Sequence, residues 1–365
     1  MALLDDTPAA PPLSDESTSR VGQWIAGIHP GVWLVVFLLL ALPLFANSFI
    51  LIDIFGRTMI LGMIALSLMF LAGYGGMVSL VQMSVAVSAG YMFAIFGESA
   101  IDQISLGWSW WFALPISLII AVIFGTISGA LAVRTEGIYT IMITLAIAAA
   151  FFYFTRQNYT IFNGFSGFNG LKPPQVFGID WRAHVPFYYL IFFWAGIAYL
   201  VVQYVSRSPF GLALQGIRDN PRRMEALGFH VTAHRIAAYS FAALIAAVAG
   251  ILLSWLNNQI SPGTAGIGPV IDILVIAVVG GLGRPIGPFI GALVYVVLST
   301  FAIDLLNAVG LDGARFKLLV GLGFLLTVFF SPDGLLGLWE RWKSYMARSG
   351  DGFDPLSGGS DADRR

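Results

Sequence analysis

The sequence predicts an all-α polytopic membrane protein, and three observations carry that prediction. Hydrophobic residues make up 58% of its 365 positions. Charged residues make up 11%, where a soluble domain carries about 25%. Charge-free runs recur along the chain, and a spanning helix needs about 20 mostly apolar residues. So much apolar surface cannot be enclosed in one water-soluble core, which excludes a soluble enzyme. The net charge of −1 offers no bulk attraction to nucleic acid. The chain has no Cys, so disulfides, thiolate chemistry and Cys-ligated metals are excluded.

Read in order, the apolar runs give about ten transmembrane or broken helices. The first span is expected over 31–52. The run 58–97 has room for two more, with Gly73, Gly75 and Gly76 marking a break between them. A span over 103–133 enters through Trp108, Trp110 and Trp111, an aromatic belt signal. Spans follow over 137–155, over 185–206 behind Phe187, Tyr188 and Tyr189, and over 236–256. Residues 269–283 and 286–303 read as two shorter segments interrupted by glycine, and 315–331 reads as the last span.

Lys and Arg in short loops set the orientation. Arg207, Arg218, Arg222, Arg223 and Arg235 crowd one loop, and Arg341, Lys343, Arg348, Arg364 and Arg365 the C-terminal region. Loops 97–109 and 257–268 carry neither Lys nor Arg. Ten spans threaded from a cytoplasmic N-terminus put both basic regions and Arg134 inside, and both uncharged loops outside. The loop 156–186 then falls outside despite Arg156, Lys172 and Arg182. Residues 1–30 are polar, carry Pro8, Pro11 and Pro12, and lack the basic start of a cleaved signal peptide. They are expected to be a disordered cytoplasmic tail. The transmembrane domain is expected over 31–331. A largely disordered cytoplasmic tail is expected over 332–365, rich in Ser, Gly and Asp from 344 onward.

The loop at 207–235, RSPFGLALQGIRDNPRRMEALGFHVTAHR, contains a short helix whose ends are written in sequence. Asn220 is a good N-cap, Pro221 suits the first helical position, and Gly228 supplies a left-handed C-terminal residue. The helix is about two turns, roughly 10 Å long, and too short to be stable alone. Met224 and Leu227 are three apart, on one face, while Arg222, Arg223 and Glu225 are too polar for lipid. Two readings fit: a knob for a partner's groove, or an amphipathic connector on the membrane surface.

Other features are weaker. Gly283, Gly287 and Gly291, like Gly125 and Gly129, have the four-residue spacing that lets spanning helices approach closely. Pro285 and Pro288 interrupt the first of these segments, which makes 262–291 a candidate pathway wall. Asp272 and Asp304 are acids in or beside apolar segments, where an ionisable group is a functional candidate. Either would be the proton site if the chain were a proton-coupled secondary transporter. His230 and His234 are four apart, but Val231 stands where a zinc protease needs Glu, so no metal site is expected. The lysines are Lys172, Lys317 and Lys343. None follows a glycine-rich phosphate loop, so ATP-driven transport would need another subunit to hydrolyse the nucleotide.

The basic loop resembles the cytoplasmic loop of permease subunits of bacterial branched-chain amino-acid ABC transporters, through Ser208, Pro209, Phe210, Gly211, Arg218, Asp219, Asn220, Glu225, Ala226, Leu227 and Gly228. The likeness continues through RTEGIYTIMITLA at 134–146, GFSGFNGLKPP at 164–174, ISPGTAG at 260–266 and VVGGLGRPIGPFIGA at 278–292. It covers about 60–331. The resemblance implies that the loop couples the chain to an ATPase, through Gly211, Arg218, Asp219, Asn220, Glu225, Ala226, Leu227 and Gly228. It implies a homologous second permease subunit, two cytoplasmic ATPase subunits that bind ATP and magnesium, a periplasmic binding protein, and residence in the bacterial inner membrane with both termini cytoplasmic. No cofactor is expected in this chain itself, and no catalysis. Candidate pathway or gate residues are Ser79, Gln82, Ser84, Asp272, Gly280, Gly281 and Gly283. The segment at 74–94 departs from the family pattern at Val81 and at Ser84, Val85 and Ala86. At Asp272 the family more often has a small polar residue. Related permeases also carry urea and short amides.

Overall fold

The computed structural model describes residues 37–308 except 102, 136, 175–177 and 179, and a few positions between 321 and 337. The predicted N-terminal tail, nearly all of the predicted C-terminal tail, most of the span expected over 315–331 and the side chain of Asp304 lie outside the described residues. Two compact units divide the chain, Met1–Asn47 and Ser48–Arg365. In the first, a helical turn at 37–41 passes into a 3-10 turn, Leu42–Leu44. Pro43 sits in that turn, where it supplies no N–H and disfavours a continuing α-helix. The chain turns at 45–46, and helix resumes at residue 48. The expected span over 31–52 is therefore not one helix.

The second unit contains, in chain order, α1 (Ile50–Tyr74), α2 (Gln82–Phe96), α3 (Trp110–Ala132), α4 (Ile138–Gln157), α5 (His184–Arg207), α6 (Pro209–Asp219), α7 (Pro221–Ala226), α8 (Val231–Asn257), α9 (Ile267–Gly280) and α10 (Gly287–Ala308). Among the described residues, α1, α3, α4, α5 and α8 are long and apolar enough to cross a membrane. Helices α2 and α9, with 15 and 14 residues, are apolar but shorter. At 1.5 Å per residue they reach about 22 Å, less than the roughly 30 Å of a hydrocarbon core.

Helix α1 begins before the charge-free run does. Asp53 and Arg57 lie inside it, half-exposed and 3.9 Å apart one turn from each other. A helix tolerates such an i,i+4 pair near its end, so the absence of charge was too strict a boundary signal. At its other end α1 stops at the predicted glycine break.

Helices α1 and α8 form the centre, with 83% and 67% of their apolar windows buried inside the protein. Helices α3, α4 and α5 are peripheral at 28%, 22% and 33%, and turn Phe112, Ile119, Met142, Phe193 and Leu200 outward. These are faces for lipid. Small residues set the contacts: a Cβ at Gly250 of α8 would meet the Ala86 carbonyl of α2, one at Gly125 of α3 would meet Ala243, and one at Gly129 would meet the Tyr239 ring. Helices α9 and α10 form a hairpin in which Gly280 lies against the Gly287 carbonyl and Gly291 against the Ile276 carbonyl. Gly283 has open space around it. It belongs to the turn rather than to the helix contact, and Gly280 takes the place expected of it.

The loops sort to two ends. At one, β1 (Phe168–Asn169) pairs antiparallel with β2 (Gln259–Ile260). The Ala100 N–H donates to the Asn169 carbonyl and the Gly170 N–H to the Asn258 carbonyl. This brings together the three loops that the charge pattern places outside. At the other end, the loop of α6 and α7 meets the glycine break after α1, and that break also faces the turn between α9 and α10.

Candidate functional site

The segment between α5 and α8 forms two helices, not one. Each opens on the same local signal, a polar capping side chain followed by proline. The Gly211 N–H donates to Ser208 Oγ at 3.3 Å to open α6 at Pro209, and the Arg223 N–H donates to Asn220 Oδ1 at 3.0 Å to open α7 at Pro221. Helix α7 ends as predicted on Gly228, at φ +89°. There the Gly228 N–H donates to the Glu225 carbonyl at 2.9 Å and the Phe229 N–H to the Met224 carbonyl at 3.1 Å, the paired bonds of a Schellman ending.

Met224 and Leu227 part company. Met224 is half-buried against Gly216 of α6, whereas Leu227 lies past the last helical residue and is 66% exposed. Arg222, Arg223, Glu225, Ala226 and Phe229 are exposed beside it. Gly211 sits where a Cβ would meet the Val205 carbonyl, so α6 turns tightly against the end of α5. His230 precedes α8 as its N-cap residue, and so does not share a helical face with His234. The His234 ring stacks on Phe210 at 5.7 Å and meets the edge of Phe229 at 5.6 Å. That clasp holds α6 and the end of α7 against α8. The result is a solvent-facing knob with a mixed apolar and charged tip.

The predicted pathway residues on α2 lie deep. Between α1 and α2 the chain is non-helical from Met77 to Val81, and Ser79, Gln82 and Ser84 are fully buried. Irregular backbone at membrane depth needs internal partners. Here the Leu80 N–H donates to Thr144 Oγ1 at 3.1 Å, about 9 Å along α4 from its start. Ser67 of α1 donates to Gln82 Oε1 at 3.2 Å. The Tyr239 hydroxyl of α8 lies beside Ser79, and it and Ser84 Oγ are buried without a partner of hydrogen-bonding geometry. Three helices, α1, α4 and α8, thus bring hydroxyl groups to the buried start of α2. Sequence reasoning did not single out Ser67 or Tyr239, whose only signal was a polar group in an apolar run, and it quoted Thr144 within RTEGIYTIMITLA without assigning it a role.

Asp272 is not in that cluster. It is half-buried near the start of α9, where the Tyr295 hydroxyl of α10 hydrogen-bonds it. Gly280 and Gly281 end α9, Gly281 at φ +106°. Arg218 ties the loop of α6 and α7 to the glycine break at the end of α1. Its Nη1 donates to the Gly73 carbonyl at 2.6 Å, and its Nε and Nη2 each lie 2.9 Å from Asp219 Oδ1.

A profile of the family described as the permease component of branched-chain amino acid transport systems matches residues 50–328, more than half of the chain. The chain belongs to that family. The permease is 26% identical over 238 residues to a probable branched-chain amino acid transport permease, LivM, of Methanocaldococcus jannaschii, covering 61% of this chain and 68% of the relative. It is 24% identical over 308 residues to the high-affinity branched-chain permease LivM of Escherichia coli, covering 78% and 69%. It is 21% identical over 342 residues to a ribose import permease of Haemophilus influenzae, covering 89% and 98%. No solved structure matches the permease significantly.

Proposed function

We propose that this permease is the membrane subunit of an ATP-driven importer of branched-chain or other amino acids. It would reside in the bacterial inner membrane with both termini cytoplasmic. A homologous second permease, two ATPase subunits that bind ATP and magnesium, and an external binding protein complete the assembly. The observation that carries the reading is the capped, exposed α7, held as a knob on the same end of the bundle as the break that precedes the buried start of α2. ATPase closure against the tip of α7 would shift the equilibrium between two arrangements of the helices, and the pathway would run beside Ser79, Gln82 and Ser84. At the opposite end an open cavity of about 770 Å³, lined by Glu98, Trp108, Trp110, Lys172, Pro173 and Arg182 among others, faces where a binding protein would deliver its cargo.

The test is uptake of labelled leucine into vesicles holding the full complex and the binding protein. Uptake should require ATP and persist when the pH gradient is dissipated. Uptake that survives ATP depletion and collapses without the gradient would overturn the ATP-driven reading and favour a proton-coupled carrier using Asp272. A second substrate reading rests on the ribose permease, whose length the chain covers almost completely. Competition by leucine, ribose, urea or acetamide decides among substrates, and the amino-acid reading requires leucine to compete best.

A further inference from the structure

We propose that Arg218 is a positioning residue that transmits movement of the coupling loop to the broken start of α2, through its bond to the Gly73 carbonyl. The inference rests on the reading of α7 as the docking helix and adds how motion would leave it.

The route is continuous in side chains and backbone. Helix α7 is tied to α6 by Asn220, which ends one helix and caps the other, and by Met224 seated on Gly216. Arg218 lies in the last turn of α6. Its guanidinium is a planar fork. One edge is held by Asp219 Oδ1 through Nε and Nη2, both at 2.9 Å. That leaves Nη1 directed at the Gly73 carbonyl, 2.6 Å away.

The carbonyl it takes is the right kind of handle. The last carbonyls of a helix have no backbone donor of their own and carry the negative end of its dipole. Gly76 follows at φ +66°, and a Cβ there would come within 2.7 Å of Arg218 Cγ. The stem of Arg218 therefore fills the space left by the glycine. Gly73 also faces the Leu282 carbonyl in the turn between α9 and α10. A displacement of α6 acts through one bond on the point where two broken elements meet. From that point only the short non-helical segment leads to Val81 and the buried start of α2.

The chain has no Cys, so Val81→Cys gives it a single thiol at the buried end of that segment. In the complex with its ATPase subunits, maleimide labelling of this chain is compared in ADP and in ATP with vanadate. With Arg218 present, the two labelling rates should differ by roughly fivefold or more. Arg218→Gln should abolish that difference in the assembled complex. Arg218→Lys, which keeps a charged donor, should restore part of it. A difference that persists undiminished in Arg218→Gln overturns the proposal. So does loss of the ATPase subunits from that variant, which would make Arg218 an assembly residue. If the complex with Arg218 intact fails to hold the ATPase subunits, the docking reading itself falls and this link falls with it. The readout needs no substrate, so an error about the cargo leaves the test intact.

Discussion

Glu225 is the one acid on α7, and it is exposed among Arg222, Arg223 and Leu227. Reversing it puts repulsion into any interface matched to that tip. Glu225→Arg should abolish ATP-dependent uptake and leave the amount of permease in the membrane unchanged. Gly228→Val should act alike for another reason: at φ +89° a β-branched residue is strained, so the end of the knob is lost. Normal transport and retained ATPase subunits in both variants would refute the docking reading. Asp272 bears on energy coupling. Asn keeps the acceptor that the Tyr295 hydroxyl uses and removes only the charge. Asp272→Asn should therefore retain substantial ATP-dependent uptake, whereas an essential proton site would lose all of it. The caps of α7 were legible in sequence because a cap bonds to backbone two or three residues away. The Asp272 and Tyr295 pair joins two helices, and no local rule announces it.

Between elements, glycine decides how closely backbones approach, and the effect can be separated from glycine as a residue type. Gly250 sits against the Ala86 backbone, while Gly196 on α5 has nothing within 4 Å of an added Cβ. Gly250→Leu should destabilise the bundle by roughly 1–3 kcal/mol or more, because the helix it meets cannot retreat without unpacking α2. Gly196→Leu should be close to neutral, since a larger apolar side chain there faces open space. Melting temperatures of the two variants in the same detergent check this, and equal melting temperatures would refute it. The four-residue spacing pointed to Gly125, Gly129, Gly287 and Gly291 correctly. It could not separate Gly280, which touches, from Gly283, which does not, because that depends on where α9 ends.

For the molecule as a whole, the charge pattern and the fold agree on which loops share an end. The loops carrying residues 101 and 262 meet around β1 and β2, whereas Arg218 and Leu282 meet at Gly73. Tags at 101 and 262 should be reached from the periplasmic side, and tags at 215 and 284 from the cytoplasm. Opposite signals from 215 and 284 would break the helix count between α8 and α10, and a uniform reversal would overturn the orientation drawn from Lys and Arg.

Composition and hydropathy alone settle that this chain lives in a bilayer, because apolar surface on this scale has no other solvent. Local rules add the glycine break after α1, the caps of α7 and most helix positions, since each depends on residues within a turn or two. They failed where a boundary was inferred from charge alone, at Asp53 and Arg57, and where proline broke a run that looked continuous, at Pro43. Ser208 and Pro209 carried the start of α6 in the same form as Asn220 and Pro221, so that helix was readable from the sequence. Folding was needed for everything that joins distant segments. Arg218 reaches Gly73 from 145 residues away, and Thr144 satisfies the Leu80 N–H across 64. A buried polar group must find its partner in three dimensions, and sequence states only that it will need one.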